Sequence, residues 1–248
     1  MIDALPKPPA ALLRCASLFL DFDGTLVSLV ARPDLVSVDA HLANLVARLD
    51  TYLEGRVALL SGRSVENISE LFGDVGLAIA GSHGAEMRWR DGTKSFPERP
   101  AALDRIHATM TEFAHSKTGL LVETKPLGVA LHYRGAPEME MAAHALAGAL
   151  SEETGLHLQT GKMMVELRLG GADKGSALRR LMERSPMAGH RPVFLGDDDT
   201  DEPAMAAAAA LGGAGILVGA PRPTNAQYGL PDVAATISWL ETACKQAA

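Results

Sequence analysis

Short apolar runs alternate with stretches of helical periodicity along most of the chain. The apolar residues at 18–20 predict a first strand, and leucine and valine then recur at helical spacing through 39–53. Residues 56–61 predict a second strand and 64–72 a second helix. This alternation is typical of parallel strands joined by covering helices. We therefore predict an α/β fold whose core is a Rossmann-like parallel sheet.

The pattern changes in the middle of the chain, after a predicted strand at 75–80 and a two-strand excursion at 86–96. Between residues 100 and 171 the order becomes helix, two strands, helix, two strands, which is typical of an antiparallel α+β unit. The predicted segments are helices 101–117 and 138–154 and strands 120–125, 128–134, 156–160 and 163–169. We expect a core of 1–99 with 172–248, interrupted by an inserted cap at 100–171.

The alternating pattern returns after the insertion. The predicted segments are helix 174–185, strand 191–195, helix 202–211, strand 215–218 and a last helix near 237–244. The glycines of 212–219 look like a dinucleotide-binding loop, but they follow a helix and precede a strand, which is the reverse of that motif. In open parallel sheets, ligands bind beyond the carboxyl ends of the strands, so we expect a ligand there.

Composition narrows the class of partner. The net charge of −7 over 248 residues argues against a nucleic-acid surface. Cys15 and Cys244 have no metal or disulfide spacing, which is typical of a reduced compartment. The first residues have no signal-peptide pattern, and no apolar run reaches the length of a membrane span. We expect a cytoplasmic monomer with no membrane or nucleic-acid partner.

Two carboxylates follow the first predicted strand, in the segment Asp21-Phe22-Asp23-Gly24-Thr25. An ordinary Asp-Gly turn is one interpretation. The other is functional, because neighbouring carboxylates repel unless they share a divalent cation or divide the roles of protonated and ionised acid. Gly24 would let the backbone turn sharply beside a ligand.

A second acidic cluster favours the functional interpretation. Five carboxylates stand between Asp197 and Glu202, again after an apolar run. Helix capping accounts for one or two of them. Two acidic clusters at strand ends predict a shared site for a cation that prefers oxygen ligands, such as Mg²⁺.

Two further polar residues stand near the starts of predicted helices, where each has a functional and a structural interpretation. Ser61 follows the second strand, where it either binds an anion or caps the next helix, a role that Ser64 could also take. Lys174 opens a helix, where its charge opposes the helix dipole. It is either solvated or paired with a phosphate or a carboxylate.

The motifs occur in a familiar order. DFDGT at 21–25, Ser61, Lys174 and GDDDTD at 196–201 resemble the four motifs of haloacid dehalogenase-like phosphatases. SGR at 61–63, GSHGAE at 81–86, ETK at 123–125 and VELR at 165–168 make the chain similar to trehalose-6-phosphate phosphatases. The resemblance covers nearly the whole chain and implies a phosphoric monoester hydrolase with a C2-type cap of αββαββ order.

The resemblance implies a role for each core motif. Asp21 would be the nucleophile, and Asp23 the general acid and then the general base. Ser61 and Lys174 would hold the phosphoryl oxygens. The implied Mg²⁺ ligands are Asp21, the main-chain carbonyl of Asp23, and Asp197, with Asp198 or Asp201 behind them.

The resemblance also implies a substrate-binding set. Glu123 and Lys125 would face one way on a cap strand, and with Glu166 they would bind the sugar. The alternative is a solvated ion pair on a sheet face. We leave His132 out of the set, because a lone histidine is more often structural. The full set is Gly24, Thr25, Gly62, Arg63, His83, Gly84, Glu123, Lys125 and Glu166.

Alternatives of different classes stay open. The chain could act on another sugar phosphate, such as sucrose 6-phosphate or a glycosyl-phosphoglycerate. A phosphosugar mutase of the same superfamily and a sensor that binds without turnover are the others. Asp199 stands where the family motif usually has a non-acidic residue, and an extra acid there could bind another partner or lie in solvent.

Overall fold

The computed structural model describes residues 4–30, 32, 35–73 and 76–245. The chain divides into two compact units. The first unit joins Met1–Ser95 to Asp173–Ala248, and the second unit is Phe96–Ala172. The predicted insertion at 100–171 starts four residues later than the second unit and ends one residue earlier. Its role as a cap stays a prediction.

Both units combine strands and helices. In chain order the strands are β1 (Ala16–Leu20), β2 (Val57–Leu60), β3 (Ala78–Gly81), β4 (Glu86–Arg88), β5 (Lys94–Ser95), β6 (Leu121–Lys125), β7 (Gly128–His132), β8 (His157–Gly161), β9 (Met164–Arg168), β10 (Arg191–Gly196), β11 (Ala214–Val218) and β12 (Tyr228–Leu230). The helices are α1 (Ala40–Tyr52), α2 (Val65–Phe72), α3 (Ala102–Ala114), α4 (Glu140–Thr154), α5 (Lys174–Met182), α6 (Glu202–Ala210) and α7 (Val233–Lys245).

The first unit is built on a mostly parallel sheet with the strand order β12-β11-β10-β1-β2-β3-β4-β5. Among the described strands, β4 runs antiparallel to both β3 and β5, and the other neighbouring pairs of this sheet are parallel. Strand β1 is buried along its whole length, because helices cover both faces of a parallel sheet. Leu18 and Leu20 pack in one core with residues of α1, α2 and α7, whereas Phe19 packs in the other with residues of α5 and α6.

Polar side chains cap the first two helices of this unit. Asp39 accepts a hydrogen bond from Leu42 N at the start of α1, at 2.8 Å. Ser64 accepts one from Asn67 N at the start of α2, at 3.1 Å. Side-chain oxygens at this position satisfy main-chain donors that the helix leaves unpaired. Ser64, and not Ser61, is therefore the cap of α2.

The second unit is an antiparallel sheet with the strand order β6-β7-β9-β8. Apolar residues of α3 and α4 pack with those of β7 and β9 in a separate core. Its members include Ile106, Met110, Val129, Ala147 and Leu167. The order αββαββ is the one expected, and the predicted α/β fold class is confirmed.

The structure differs from the predicted elements in three places: one strand was not predicted, and one helix and one strand begin at other residues. Strand β12 was not predicted, because it has three residues and a glycine at its centre and so has no apolar run. Helix α7 begins at Val233, before the predicted start near 237. The strand predicted at 75–80 begins at Ala78, and position 75 lies outside the described residues. Within the described ranges, every helix is too short or too polar to cross a bilayer.

Candidate active site

Three adjacent parallel strands end at candidate residues. Asp21 follows β1, Ser61 follows β2 and Asp197 follows β10. Because β1 lies between β10 and β2, these ends meet at one edge of the sheet. This edge is where open α/β sheets bind ligands.

The ammonium group of Lys174 lies between two carboxylates. Its Nζ donates hydrogen bonds to Asp21 Oδ1 and to Asp201 Oδ1, each at 2.6 Å. All three side chains are buried. The sequence predicts a phosphate or a carboxylate as a possible partner of Lys174. In the structure its partners are carboxylates. Their charge explains why a lysine is tolerated in the first turn of α5, where the helix dipole disfavours it.

Burial dominates the ionisation of this cluster. It raises the pKa of Asp21 well above its usual range, the Asp201 carboxylate raises it further, and Lys174 opposes both. Burial also raises the pKa of Asp201, to about 6. Burial alone would lower the pKa of Lys174, but the attraction of Asp201 and Asp21 leaves it well above its usual range. Two carboxyl groups therefore share one ammonium, and burial disfavours full ionisation of both of them.

Asp201 shapes the acidic loop, which we define as residues 197–202. Its Oδ2 accepts hydrogen bonds from the main-chain N–H groups of Asp197 at 2.8 Å and Asp198 at 3.1 Å. Its Oδ1 accepts the bond from Lys174. Both carboxylate oxygens are thus engaged within the protein, and Asp201 ties the loop to the cluster around Asp21.

The same edge of the sheet meets the requirements of a cation site. Carboxylate oxygens of Asp21, Asp197 and Asp201 lie within 4.8 Å of one another. Gly24, at a φ of +87°, approaches so closely that a Cβ there would lie 2.2 Å from Asp197 Oδ2. A side chain at position 24 would therefore displace Asp197. A donor set of carboxylate oxygens suits Mg²⁺.

Asp198 is engaged by its own loop. Its Oδ1 accepts hydrogen bonds from Thr200 N at 2.9 Å and from Thr200 Oγ1 at 2.6 Å. Burial opposes its ionisation, but Lys174 and the bonds from Thr200 outweigh burial and keep the pKa of Asp198 below its usual value. Asp198 is therefore a loop-forming carboxylate.

Asp23 has a different partner from Asp21. Arg63 binds it with two hydrogen bonds, from Nε to Oδ2 at 2.7 Å and from Nη2 to Oδ1 at 2.9 Å. Arg63 also donates from Nη1 to Asn67 Oδ1 at 2.9 Å, and its guanidinium lies 5.6 Å from the centre of the Phe22 ring. Such a planar, two-bond pair fixes the orientation of both side chains.

The remaining core candidates lie on two loops that pack against each other. Ser61 accepts a hydrogen bond at its main-chain oxygen from His83 N, at 3.0 Å, and its Oγ accepts one from Arg63 N at 3.1 Å. A Cβ on Gly62 would lie 2.7 Å from the His83 ring. The backbone of His83 has a φ of +56°. Gly84 lies against the main-chain oxygen of Asp173, just before Lys174.

Thr25 belongs to the predicted substrate-binding set, whereas Glu86 does not. Among the described residues, the buried Thr25 hydroxyl has no hydrogen-bond partner. Glu86 ends the GSHGAE motif, and the sequence alone predicts no role for it. Its Oε2 accepts a hydrogen bond from Val65 N at 2.8 Å, and burial raises its pKa. Glu86 therefore holds the start of α2, just after the loop of Ser61 and Arg63.

The second unit has its own polar cluster. Lys125 Nζ lies 2.5 Å from Glu166 Oε2, and the Glu166 side chain is almost wholly buried. Glu123 Oε2 lies 2.8 Å from His132 Nε2. Burial raises the pKa of Glu123, but the hydrogen bond with His132 and the charge of Lys125 outweigh it, so the pKa is lowered overall.

His132 is the residue of this cluster that sequence reasoning left out. The antiparallel register pairs Leu121 with His132 and Glu123 with Ala130, which makes Glu123 and His132 diagonal neighbours on β6 and β7. The tight turn after Lys125 carried this signal, because a two-strand hairpin sets which residues are neighbours. The roles of the predicted site residues stay predictions.

Comparisons with known proteins agree with the motifs. The model of a family described as trehalose-phosphatase matches residues 19–234. A probable trehalose-phosphate phosphatase of Sinorhizobium fredii is 37% identical over 215 residues, which are 86% of this chain and 81% of that protein. The trehalose-6-phosphate phosphatase of Escherichia coli is 36% identical over 229 residues, which are 90% of this chain and 84% of that protein.

A solved structure is similar over nearly its full length. The crystal structure of a trehalose-6-phosphate phosphatase related protein superimposes with a TM-score of 0.78 at 27% identity, over 92% of this chain and 97% of that one. The resemblance predicted from the motifs is confirmed. The chain belongs to the trehalose-phosphatase family.

Proposed function

We propose that this chain is a Mg²⁺-dependent phosphatase that hydrolyses trehalose 6-phosphate to trehalose and inorganic phosphate. The observation that carries the proposal is the buried cluster of Asp21, Lys174 and Asp201 at the strand ends. The Escherichia coli relative is named for this substrate, which supports the choice of sugar.

Asp21 is the nucleophile in this proposal. One of its carboxylate oxygens attacks phosphorus, the bond from phosphorus to the sugar oxygen breaks, and an aspartyl-phosphate forms. Asp23 donates its proton to the departing sugar oxygen. Asp23 then takes a proton from a water molecule whose oxygen attacks the same phosphorus. Phosphate leaves, and Asp21 returns to a carboxylate.

Arg63 must loosen its hold on Asp23 for the first of these steps. Both oxygens of Asp23 accept hydrogen bonds from Arg63, so a proton on either oxygen displaces one of them. An arriving phosphoryl group offers the guanidinium another anion with the same two-bond geometry. Arg63 would then bind substrate, as the resemblance implies, and would free Asp23 to donate.

Asp21, the main-chain carbonyl of Asp23, and Asp197 would hold Mg²⁺. Asp201 and Asp198 stand behind these ligands, because their oxygens already accept bonds from Lys174, the acidic loop and Thr200. When bound, the metal would reduce the repulsion between the nucleophile and the phosphate. The donor set fits, since its carboxylates outnumber the single ammonium among them.

The other predicted residues divide between phosphate and sugar. Ser61 and Lys174 would hold phosphoryl oxygens. In the second unit, the carboxylates of Glu123 and Glu166 and the ammonium of Lys125 would bind sugar hydroxyls. The residues expected to surround the phosphate are Gly24, Thr25, Gly62, Arg63, His83 and Gly84.

Phosphate release from a substrate panel tests the proposal. Trehalose 6-phosphate, sucrose 6-phosphate, glucose 6-phosphate and mannose 6-phosphate are each supplied with Mg²⁺ or with EDTA. Preference for trehalose 6-phosphate that EDTA abolishes is the expected result. Activity centred on another member retains the phosphatase chemistry and overturns the choice of sugar. No release from any member points to the mutase or the sensor.

We further propose that the protein acts as a monomer in the cytoplasm. Light scattering during size-exclusion chromatography measures the mass in solution, which is expected to match one chain of 26.1 kDa. A mass of twice that value contradicts the monomer without affecting the proposed reaction.

A further inference from the structure

Arg222, which lies outside every predicted motif, makes three contacts with the acidic loop. Its Nη2 donates to the main-chain oxygen of Asp198 at 2.8 Å. Its Nη1 lies 2.6 Å from Glu202 Oε1 and 3.2 Å from Asp199 Oδ1. One guanidinium thus contacts the main chain near the start of the loop and the Glu202 side chain at its end.

The residues after Arg222 contact the same loop. Thr224 Oγ1 donates to Glu202 Oε1 at 2.8 Å. Asn225 donates to Glu202 Oε2 twice, from its main-chain N–H at 2.7 Å and from its side-chain amide at 3.0 Å. We name residues 222–225 the brace. Thr224 and Asn225 donate to the Glu202 carboxylate at the end of the acidic loop, and Arg222 Nη1 also donates to the main-chain oxygen of Pro223 at 3.1 Å.

The contacts of the brace are unequal. The Glu202 side chain is 18% exposed and Arg222 is 24% exposed, so water weakens this pair only partly. The Asp199 side chain is 92% exposed, and a pair of that kind contributes little. Asp199, which no motif explained, therefore has a cationic neighbour, but Glu202 and the main chain of Asp198 are the contacts that position the loop.

We propose that Arg222 is a positioning residue for divalent-cation binding, which it supports by holding the acidic loop in the arrangement that presents Asp197. The inference rests on the proposed function, because it takes the carboxylates of Asp21 and Asp197 as the cation site. Asp201 binds the main-chain N–H groups of Asp197 and Asp198 from the side of Lys174, and Arg222 binds the main-chain oxygen of Asp198 and the side chain of Glu202. A loop that carries several like charges would otherwise spread apart.

The alternative role of Arg222 predicts a result of the opposite sign. If Arg222 acts only through its charge, its removal makes the loop more negative and tightens cation binding. If Arg222 acts by positioning, its removal loosens the loop and weakens cation binding. Loss of a group that orients metal ligands typically lowers metal affinity about 10- to 100-fold.

The test is calorimetric titration of Mg²⁺ into the intact protein without substrate, on wild type and Arg222→Gln. We expect the affinity to fall about 10-fold or more. Arg222→Lys keeps the charge but loses the fork that reaches Asp198 and Glu202 together, so it is expected to restore only part of the affinity. Unchanged or tighter binding by Arg222→Gln overturns the inference.

Matched variants separate positioning from general damage. Arg90→Gln removes one positive charge and one ion pair, with Asp50, elsewhere in the first unit and is expected to leave Mg²⁺ affinity unchanged. Glu202→Gln is expected to share the loss, and its combination with Arg222→Gln to add little, because both changes break the same contact. Additive losses contradict a shared role.

Two outcomes distinguish this inference from the proposed function. If wild type binds no Mg²⁺, the cation site of the proposed function is wrong and the inference falls with it. If wild type binds Mg²⁺ and Arg222→Gln binds it equally well, only the inference is wrong. Should Arg222→Gln fail to fold, Thr224→Val removes a smaller contact of the brace and is expected to lower the affinity in the same direction.

Discussion

Each unit of the protein pairs a lysine with buried carboxylates, but the two arrangements are built differently. In the first unit, Lys174 lies between Asp21 and Asp201 and its side chain is 3% exposed. In the second unit, Lys125 pairs with Glu166 and its side chain is 15% exposed. The first cluster joins distant parts of the chain at the ends of strands, whereas the second lies on a single hairpin and its neighbouring strand.

This difference suggests that the two clusters suit different kinds of ligand. A buried cluster of two carboxyl groups and one ammonium is suited to hold a metal and to direct a charged nucleophile. A half-exposed cluster of acids, a lysine and a histidine on a sheet is suited to neutral, hydroxyl-rich ligands. Substitutions in one unit should therefore have different consequences from similar substitutions in the other.

The largest effect is expected from Asp21→Asn. The amide cannot attack phosphorus, so phosphate release should fall by about 10³-fold or more. The rate is measured with trehalose 6-phosphate and with a small aryl phosphate. Both substrates should lose activity equally, because the nucleophile serves either. Substantial residual turnover in a variant that still binds Mg²⁺ would show that another group attacks.

Replacing each lysine tests how much its cluster contributes to the free energy of unfolding. Lys174→Met leaves two buried carboxylates without their cation and should lower the free energy of unfolding by about 3–5 kcal/mol. Lys125→Met should cost less, about 1–2 kcal/mol, because it leaves one carboxylate and its site is more open to water. Urea unfolding of both variants in EDTA measures the difference. Equal losses contradict the distinction between the two clusters.

Substitution in the second unit should alter substrate choice more than chemistry. Glu123→Gln is expected to lower kcat/KM for trehalose 6-phosphate about 10- to 100-fold, since a hydrogen bond to a charged group is lost. Hydrolysis of a small aryl phosphate should change little. Glu153→Gln, at an exposed ion pair on α4, is the matched control. Equal losses on both substrates would show that this cluster does not recognise the sugar.

The smallest effects are pH dependences of opposite sign. Burial raises the pKa of Glu86, so its share of stability is present at low pH and is lost as the pH rises through the raised value. The pKa of Glu123 is lowered overall, although burial opposes this, because His132 and Lys125 favour its ionised form. Its share is present above the unfolded value and is lost as the pH falls.

The variants Glu86→Gln and Glu123→Gln separate the two signs. Relative to wild type, Glu86→Gln should gain stability as the pH rises above the unfolded pKa of a glutamate, whereas Glu123→Gln should lose it as the pH rises towards that value. Urea midpoints measured across this range check both. Parallel curves for the two variants contradict the opposite shifts.

Much of the fold was predictable because local periodicity marks buried strands and covering helices. The strands β1, β2 and β10 and the turns after them could be located from apolar runs and the polar residues that follow. Strand β12 was missed, since its pairing with β11 is not visible in three residues around Gly229. The motifs identified the candidate residues and the family, whereas the partners of Arg63 and Arg222 and the place of His132 came from the structure.

The sequence by itself determined the order of the strands and helices other than β12, the strand-end carboxylates and the family, because these depend on residue type and spacing along the chain. Only the tertiary structure decided that Lys174 bridges Asp21 and Asp201, that Arg63 holds Asp23, and that the brace holds the acidic loop. Each of these contacts joins residues more than 20 positions apart. The physical reason is that burial and approach between distant segments, which set charge pairing, exist only once the sheet has formed.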